Sequence, residues 1–305
     1  MFGFRPEGRR YKLKDPIVQA TPYFMPHRSD AQVFLQKELE YEPLARYIAD
    51  QACKGCKITF MQLIIAAYVR GVSQLPDVNR FIMNKRLYSR RELSVSFALL
   101  RDTQDESIEE TTIKLFFDPT DTIYDVARRV NEGIEANRPM EKANFTMKFA
   151  RCMLSLPLLP NTVMGLVRLL DRYGLVPKVL IDASPFHAGL WITNMASIGV
   201  SSVYHHIYNF GNSSLFFSMG TVERKVAMTP DGKVVRRRVL PVGATVDERV
   251  CAGATYARLF ASMLHSLSHP EELETPPDSV RYDPRCEYHV NKPGTPAPAG
   301  QEISA

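Results

Sequence analysis

Apolar residues recur along this chain at two alternating spacings, roughly every second residue and roughly every third or fourth. Residues 1–27 are polar and aromatic with no clear period. From Gln32 the run Val33, Leu35, Glu38, Glu40 reads as extended. Pro43 suits a first helical position, and Leu44, Tyr47 and Ile48 form the face of that helix. Thr59 with Gln62 three residues on makes a capping box, and Phe60, Ile64, Ala67, Tyr68 and Val72 follow at helical spacing until Leu75-Pro76-Asp77. Strands are predicted at Arg80–Met83, Arg86–Tyr88 after an Asn84-Lys85 turn, Leu93–Leu99 and Thr111–Phe117. Asp118-Pro119-Thr120-Asp121 opens a helix carrying Ile123, Val126, Ala127, Val130 and Ile134. Residues 146–181 read as an apolar helical pair, with Val163, Leu166, Val167 and Leu170 as one stripe. Strands are then predicted at Gly189–Thr193, Ser214–Met219, Val222–Ala227 and, past an Asp231-Gly232 turn, Val234–Leu240. A last helix spans Gly253–Leu267. Helices and strands therefore mix along one chain, which predicts an α/β or α+β domain over 1–275.

From Pro276 the composition turns proline-rich with few large apolar residues, so 276–305 is expected to be a disordered tail. The chain has 305 residues, 45% of them hydrophobic, ample for a buried core. Its net charge of +5 comes from 38 basic and 33 acidic residues in short mixed clusters, which argues against a nucleic-acid partner. No stretch reaches the ~18–20 apolar residues that a membrane span needs. The closest, Met153 to Ile181, is broken by Pro157, Pro160, Arg168, Asp171 and Arg172. The five cysteines are irregularly spaced, so no disulfide framework is implied; with no signal segment, a reducing cytoplasm is expected.

Cys53-Lys54-Gly55-Cys56 closes a helix rather than opening one, and no second pair of ligands stands at zinc spacing, so no metal site is expected there. His205-His206 lacks a carboxylate at ligand spacing and reads as structural or as a substrate contact. The more specific signal lies downstream. It comprises Gly220-Thr221-Val222-Glu223-Arg224, Asp231-Gly232-Lys233-Val234-Val235-Arg236-Arg237, and then Leu240-Pro241-Val242-Gly243-Ala244-Thr245-Val246-Asp247-Glu248-Arg249-Val250-Cys251-Ala252-Gly253. This stretch resembles the end of the catalytic core of the 2-oxo acid dehydrogenase acyltransferases and of their relatives, the chloramphenicol acetyltransferases. Trp191-Ile192-Thr193-Asn194 with Gly199, and Pro76-Asp77-Val78-Asn79, resemble further segments of that family.

The resemblance implies an α/β fold of chloramphenicol acetyltransferase-like type, a mixed sheet flanked by helices, interrupted here by an apolar helical insertion at about 146–181. It implies a homotrimer whose active sites lie in channels between subunits, with a coenzyme A thioester and a small-molecule acceptor as partners and no bound cofactor. The family's signature is histidine-x-x-x-aspartate-glycine, whose imidazole is the general base. Here Glu248 stands at the histidine position and Ala252 at the aspartate position. The resemblance places Ser201 as oxyanion donor, with Ser202 one residue off, and Arg28 as the arginine that pairs with the signature aspartate, a partner expected to be missing here. An unperturbed carboxyl, near ~4.3, matches a thiol near ~8.5 poorly unless burial raises it.

Three expectations follow. The chain is a coenzyme-A-dependent acyltransferase acting on a free substrate, with Glu248 as base. Alternatively it is an inactive family member that serves as a binding or scaffold protein. In a third version the base is His205 or His206. The leucines of the insertion cap the core, line an acyl tunnel or meet a membrane surface; the sequence leaves these open.

Overall fold

The computed structural model describes residues 5–13, 15–102, 108–137, 159–284 and 286. In chain order the elements are β1 (Gly8–Arg10), α1 (Pro16–Phe24), β2 (Gln32–Glu40), α2 (Tyr41–Cys53), α3 (Phe60–Gln74), β3 (Arg80–Met83), β4 (Arg86–Arg90), β5 (Leu93–Asp102), β6 (Ile108–Phe117) and α4 (Ile123–Ala136). There follow α5 (Leu159–Tyr173), α6 (Lys178–Ala183), β7 (Leu190–Asn194), β8 (Leu215–Met219), β9 (Glu223–Met228), β10 (Val234–Asp247) and α7 (Gly253–Ser268).

Seven strands form one mixed sheet in the order β2-β10-β8-β7-β5-β6, with β9 on the outer half of β10. β5–β7 and β7–β8 are parallel, and the other pairs are antiparallel. A separate three-stranded sheet runs β1-β4-β3. The period of two decides which face each residue serves. Leu190, Ile192, Leu215 and Phe217 enter the main core with α3, α4 and α7. Trp191 and Phe216, between them, point to the opposite face and pack with Ile207, Phe186 and Tyr208.

α3 is the central helix. Thr59 and Gln62 form the predicted capping box, with Thr59 N–H donating to Gln62 Oε1 at 2.8 Å. β10 is longer than the alternation predicts. It runs on through Pro241 to Asp247 because both of its neighbours pair with it there, Pro241 opposite Glu38 and Val242 opposite Met219. α2 begins at Tyr41, so Pro43 sits inside its first turn rather than at the first position.

One reading of domain organisation changes. The chain after Pro276 is not free of the core: Asp283 is buried and accepts from Arg80 Nε at 2.7 Å and from Ser89 Oγ at 2.5 Å. Arg281 N–H donates to Ser73 O at 2.8 Å, and Cys286 is buried. Charge pairing, which the scarcity of apolar residues conceals, anchors this stretch. The predicted tail beyond it lies outside the described residues. So does residues 146–158, the first part of the apolar insertion; the rest forms α5 and α6 as a helical pair.

Candidate functional site

β10 ends at Asp247 because the sheet ends there. Asp247 N–H donates to Ser214 O at 3.0 Å, and the next amide, Glu248 N–H, donates to Ala31 O at 3.0 Å. The chain then turns through Arg249 and Val250 into α7, and Tyr256 Oη donates to Asp247 O at 2.9 Å. Side chains alternate in direction through the turn. Asp247 and Arg249 are buried, and Glu248 between them is exposed.

Asp247 is the hub. Its Oδ1 accepts from Arg249 Nε at 2.8 Å and its Oδ2 from Arg249 Nη2 at 2.7 Å, a bidentate pair. Arg28 Nε lies 3.6 Å from Oδ2. Arg28 also donates to Tyr208 O, and to Gly211 O at 3.1 Å. Burial pulls the Arg28 guanidinium down to about 10 against the support of Asp247. The expectation that Arg28 lacks a carboxylate is therefore corrected. Asp247, five residues ahead of the signature position, supplies it. Ala252 stands exposed at the N-cap of α7 and makes no side-chain cap bond. Arg28 is buried, with its guanidinium engaged by Asp247 and by the carbonyls of Tyr208 and Gly211. Both arginines face Asp247, and among the described residues neither pairs with Glu248.

Ser201 lies elsewhere. It belongs to the crossover Met195–Ser214 between β7 and β8, which has only one helical turn of its own. The crossover is pressed onto the sheet at Gly220, where a Cβ would come within 2.1 Å of Ser202 N, so only glycine fits. Ser201 Oγ donates to Glu223 Oε1 at 2.5 Å, and Ser202 Oγ accepts from Gln36 Nε2 at 3.1 Å. Gly220 N–H donates to Pro241 O. From Pro241 to Asp247 is six steps of β10, about 20 Å at ~3.3 Å per residue. Ser201 thus lies in the crossover, and Glu248 in the turn that follows β10.

His205 sits between them, its carbonyl accepting from Thr245 Oγ1 at 2.6 Å. Its ring lies flat on Phe216, with centroids 3.9 Å apart. Nδ1 is 2.7 Å from His206 O, an atom that can only accept, so Nδ1 carries the proton and Nε2 is left as a proton acceptor. Burial pushes the His205 imidazole below its ordinary value. His206 is exposed and stacks on His205. Cys53 and Cys56 are free thiols at the end of α2, and the described residues contain no cluster of three metal-ligating side chains.

Sequence reading missed a second buried cluster. Arg5 pairs with Glu7 at 2.5 Å and Asp171 at 2.6 Å, and Asp171 Oδ2 is 3.2 Å from His187 Nε2. His187 Nδ1 meets Ser184 Oγ at 2.8 Å across a tight turn. Asp171 was visible only as a charge interrupting an apolar run; that charge is what ties the insertion to the core.

Among the described residues no helix is long and apolar enough to cross a membrane. Residues 187–275 match the family of 2-oxoacid dehydrogenases acyltransferase (catalytic domain). No curated protein matches the chain in sequence. Among solved structures, a probable dihydrolipoamide acetyltransferase from Listeria monocytogenes 4b F2365 is similar with a TM-score of 0.53 and 11% identity, over 85% of this chain and 94% of that one. The cubic core of the pyruvate dehydrogenase multienzyme complex is similar with a TM-score of 0.53 and 14% identity, over 86% and 94%. A truncated catalytic core of the 2-oxoacid dehydrogenase multienzyme complex from Thermoplasma acidophilum gives 0.51 and 12%, over 85% and 98%. At such identities the likeness is one of fold: this chain has the mixed-sheet fold of the 2-oxo acid dehydrogenase acyltransferase catalytic cores, and its last third matches that family in sequence.

Proposed function

We propose that the protein transfers an acyl group from a coenzyme A thioester to a free small-molecule acceptor in the cytoplasm, with Glu248 as the base at the family's position. The observation that carries this is the buried Arg28–Asp247–Arg249 cluster. It fixes the turn that presents residue 248 to solvent, although the signature aspartate has been lost. A proton acceptor there would face a thiol or hydroxyl arriving from outside the chain. Ser201 lies in the crossover beside Gly220 and Glu248 follows the end of β10, a separation that suits a channel completed by a neighbouring copy, each copy giving one residue to each site. No cofactor is needed for acyl transfer by this route.

A second reading, that of a binding or scaffold protein without turnover, is favoured by one contact. Ser201 spends its hydroxyl proton on Glu223, and the same carboxylate would oppose an oxyanion formed there.

The test is thiol release from acyl-coenzyme A by the purified full chain, with a panel of small thiol and hydroxyl acceptors. Glu248→Gln is expected to lower the rate by roughly 10²–10⁴-fold, the usual worth of a positioned base, with acyl-coenzyme A binding retained. Full turnover in that variant with loss in His205→Gln moves the base to His205, whose tautomer already suits it. Binding without turnover in the wild type selects the scaffold reading.

A further inference from the structure

The insertion helix α5 does not close over the core. It stands beside the β3–β4 turn and the Arg28 loop, and the three enclose a cleft of about 540 Å³. That is the size of a small-molecule site. Its wall is cationic from every side: Arg28 and Arg249 at the back, Lys85 from the turn, and Arg168 and Arg172 from α5.

The way these cations are held distinguishes the cleft from an ordinary charged surface. Arg172 Nε donates to the amide oxygen of Asn84 at 3.0 Å, and Lys85 Nζ lies over the ring of Tyr23, 4.8 Å from its centroid. An amide and an aromatic face orient a cation without neutralising it. Among the described residues Arg168 meets no carboxylate. Arg168 and Arg172 stand four apart on one helix, an arrangement that repels unless something anionic lies between them. The two acidic groups close by are already engaged. Asp247 is shared by Arg28 and Arg249, and Asp171, which lines the cleft, is held by Arg5 and His187. Phe210 adds an aromatic wall.

We propose that this cleft binds a small molecule through a phosphate or diphosphate group, with Arg168, Arg172 and Lys85 as its ligands. Guanidinium groups match phosphate oxygens in pairs, and three cations from two elements suit a multiply charged group better than a single carboxylate. The ligand is the phosphorylated end of a coenzyme A thioester or a free phosphorylated metabolite. The inference does not require the acyl-transfer reading, because two of the three probes below carry no thiol.

Isothermal titration with inorganic pyrophosphate, ADP and coenzyme A, on the full chain at low salt, tests it. Pyrophosphate and ADP are expected to bind and to compete with each other. Affinity should fall at least tenfold in Arg168→Glu and in Arg172→Glu, and should weaken as salt rises. Both side chains are exposed, and an unchanged melting temperature shows that each variant is folded. Displacement of ADP by coenzyme A through the same residues identifies the coenzyme as the source. Binding of ADP that coenzyme A leaves untouched identifies a free metabolite. Failure of the folded wild type to bind pyrophosphate, ADP or coenzyme A at millimolar concentration overturns the proposal, as does binding that neither charge reversal alters.

Discussion

At residue 252, where the resemblance places the family's aspartate, this chain has alanine, and the structure changes what introducing an aspartate there would do. Arg28 already has Asp247, so an aspartate at 252 would not find a free arginine. It would stand at the N-cap of α7, where the present alanine leaves the first amides without a side-chain acceptor. Ala252→Asp is therefore expected to stabilise the protein by about 1 kcal/mol, measured by urea denaturation, as a capping effect that survives in an Arg28→Lys background. Asp247→Asn is the opposite case. It leaves two buried guanidiniums without their carboxylate, and a loss of about 3 kcal/mol or more is expected. Lys114 offers a test of sign. Burial, reinforced by Arg90, pulls its ammonium down to about 8, while its Nζ donates to Ile181 O at 2.9 Å. The folded state then binds fewer protons than the unfolded state between pH 8 and 10, so this group adds stability as pH rises through that window. Cys251, pushed up to about 12, acts in the opposite sense above pH 9, so the comparison must be differential. Any stability advantage of Lys114→Met over the wild type should shrink from pH 8 to pH 10; an advantage that grows would contradict the shift.

At the scale of elements, the segment after Pro276 behaves as part of the domain. Its hold is Asp283 on Arg80 and Ser89, and Arg80 is buried, so removing Asp283 leaves that cation with only the half-exposed Asp77. Truncation after Pro277, or Asp283→Ala alone, is expected to lower the melting temperature by about 5–10 °C, since a buried pair broken on one side costs about 3 kcal/mol. Truncation after residue 286 removes none of these contacts. Equal melting temperatures for the two truncations would show that the pairing is worth nothing in solution. The insertion shows the same principle. Over residues 160–173 of α5 only Asp171 is fully buried, and Leu166 and Leu169 are about half exposed, so its attachment there is ionic where its sequence reads as apolar.

For the molecule as a whole, the edge of the large sheet is the telling feature. β2 is an edge strand nine residues long, and successive residues Val33 and Phe34, which point to opposite faces, are 37% and 49% exposed. An open edge with apolar groups on both faces invites pairing, and native proteins cover such edges. A homotrimer, as the resemblance implies, would cover it and would bring Ser201 of one copy towards Glu248 of another. Light scattering is expected to give three times the 34.6 kDa of the chain, and Phe34→Lys should shift the mass towards the monomer. A stable monomer in the wild type at micromolar concentration would remove the shared-channel site.

The sequence alone determined what depends on neighbours along the chain. The capping box at Thr59, the Asn84-Lys85 turn and the alternation of β5 are local, because the period of apolar positions and the chemistry of a turn are local. The likeness of the last third was legible for the same reason, as a continuous run of residues. Only the tertiary structure decided which charges meet. Nothing between positions 28 and 247 announces that Arg28 will find Asp247, nor does the chain between 80 and 283 announce the pairing of Arg80. The energy of an ion pair is set by burial and by distances across the fold, and these exist only once strands far apart in sequence have been laid side by side. The same holds for Ser201 and Glu248: the resemblance names both, and only the fold puts one in the β7–β8 crossover and the other after the end of β10.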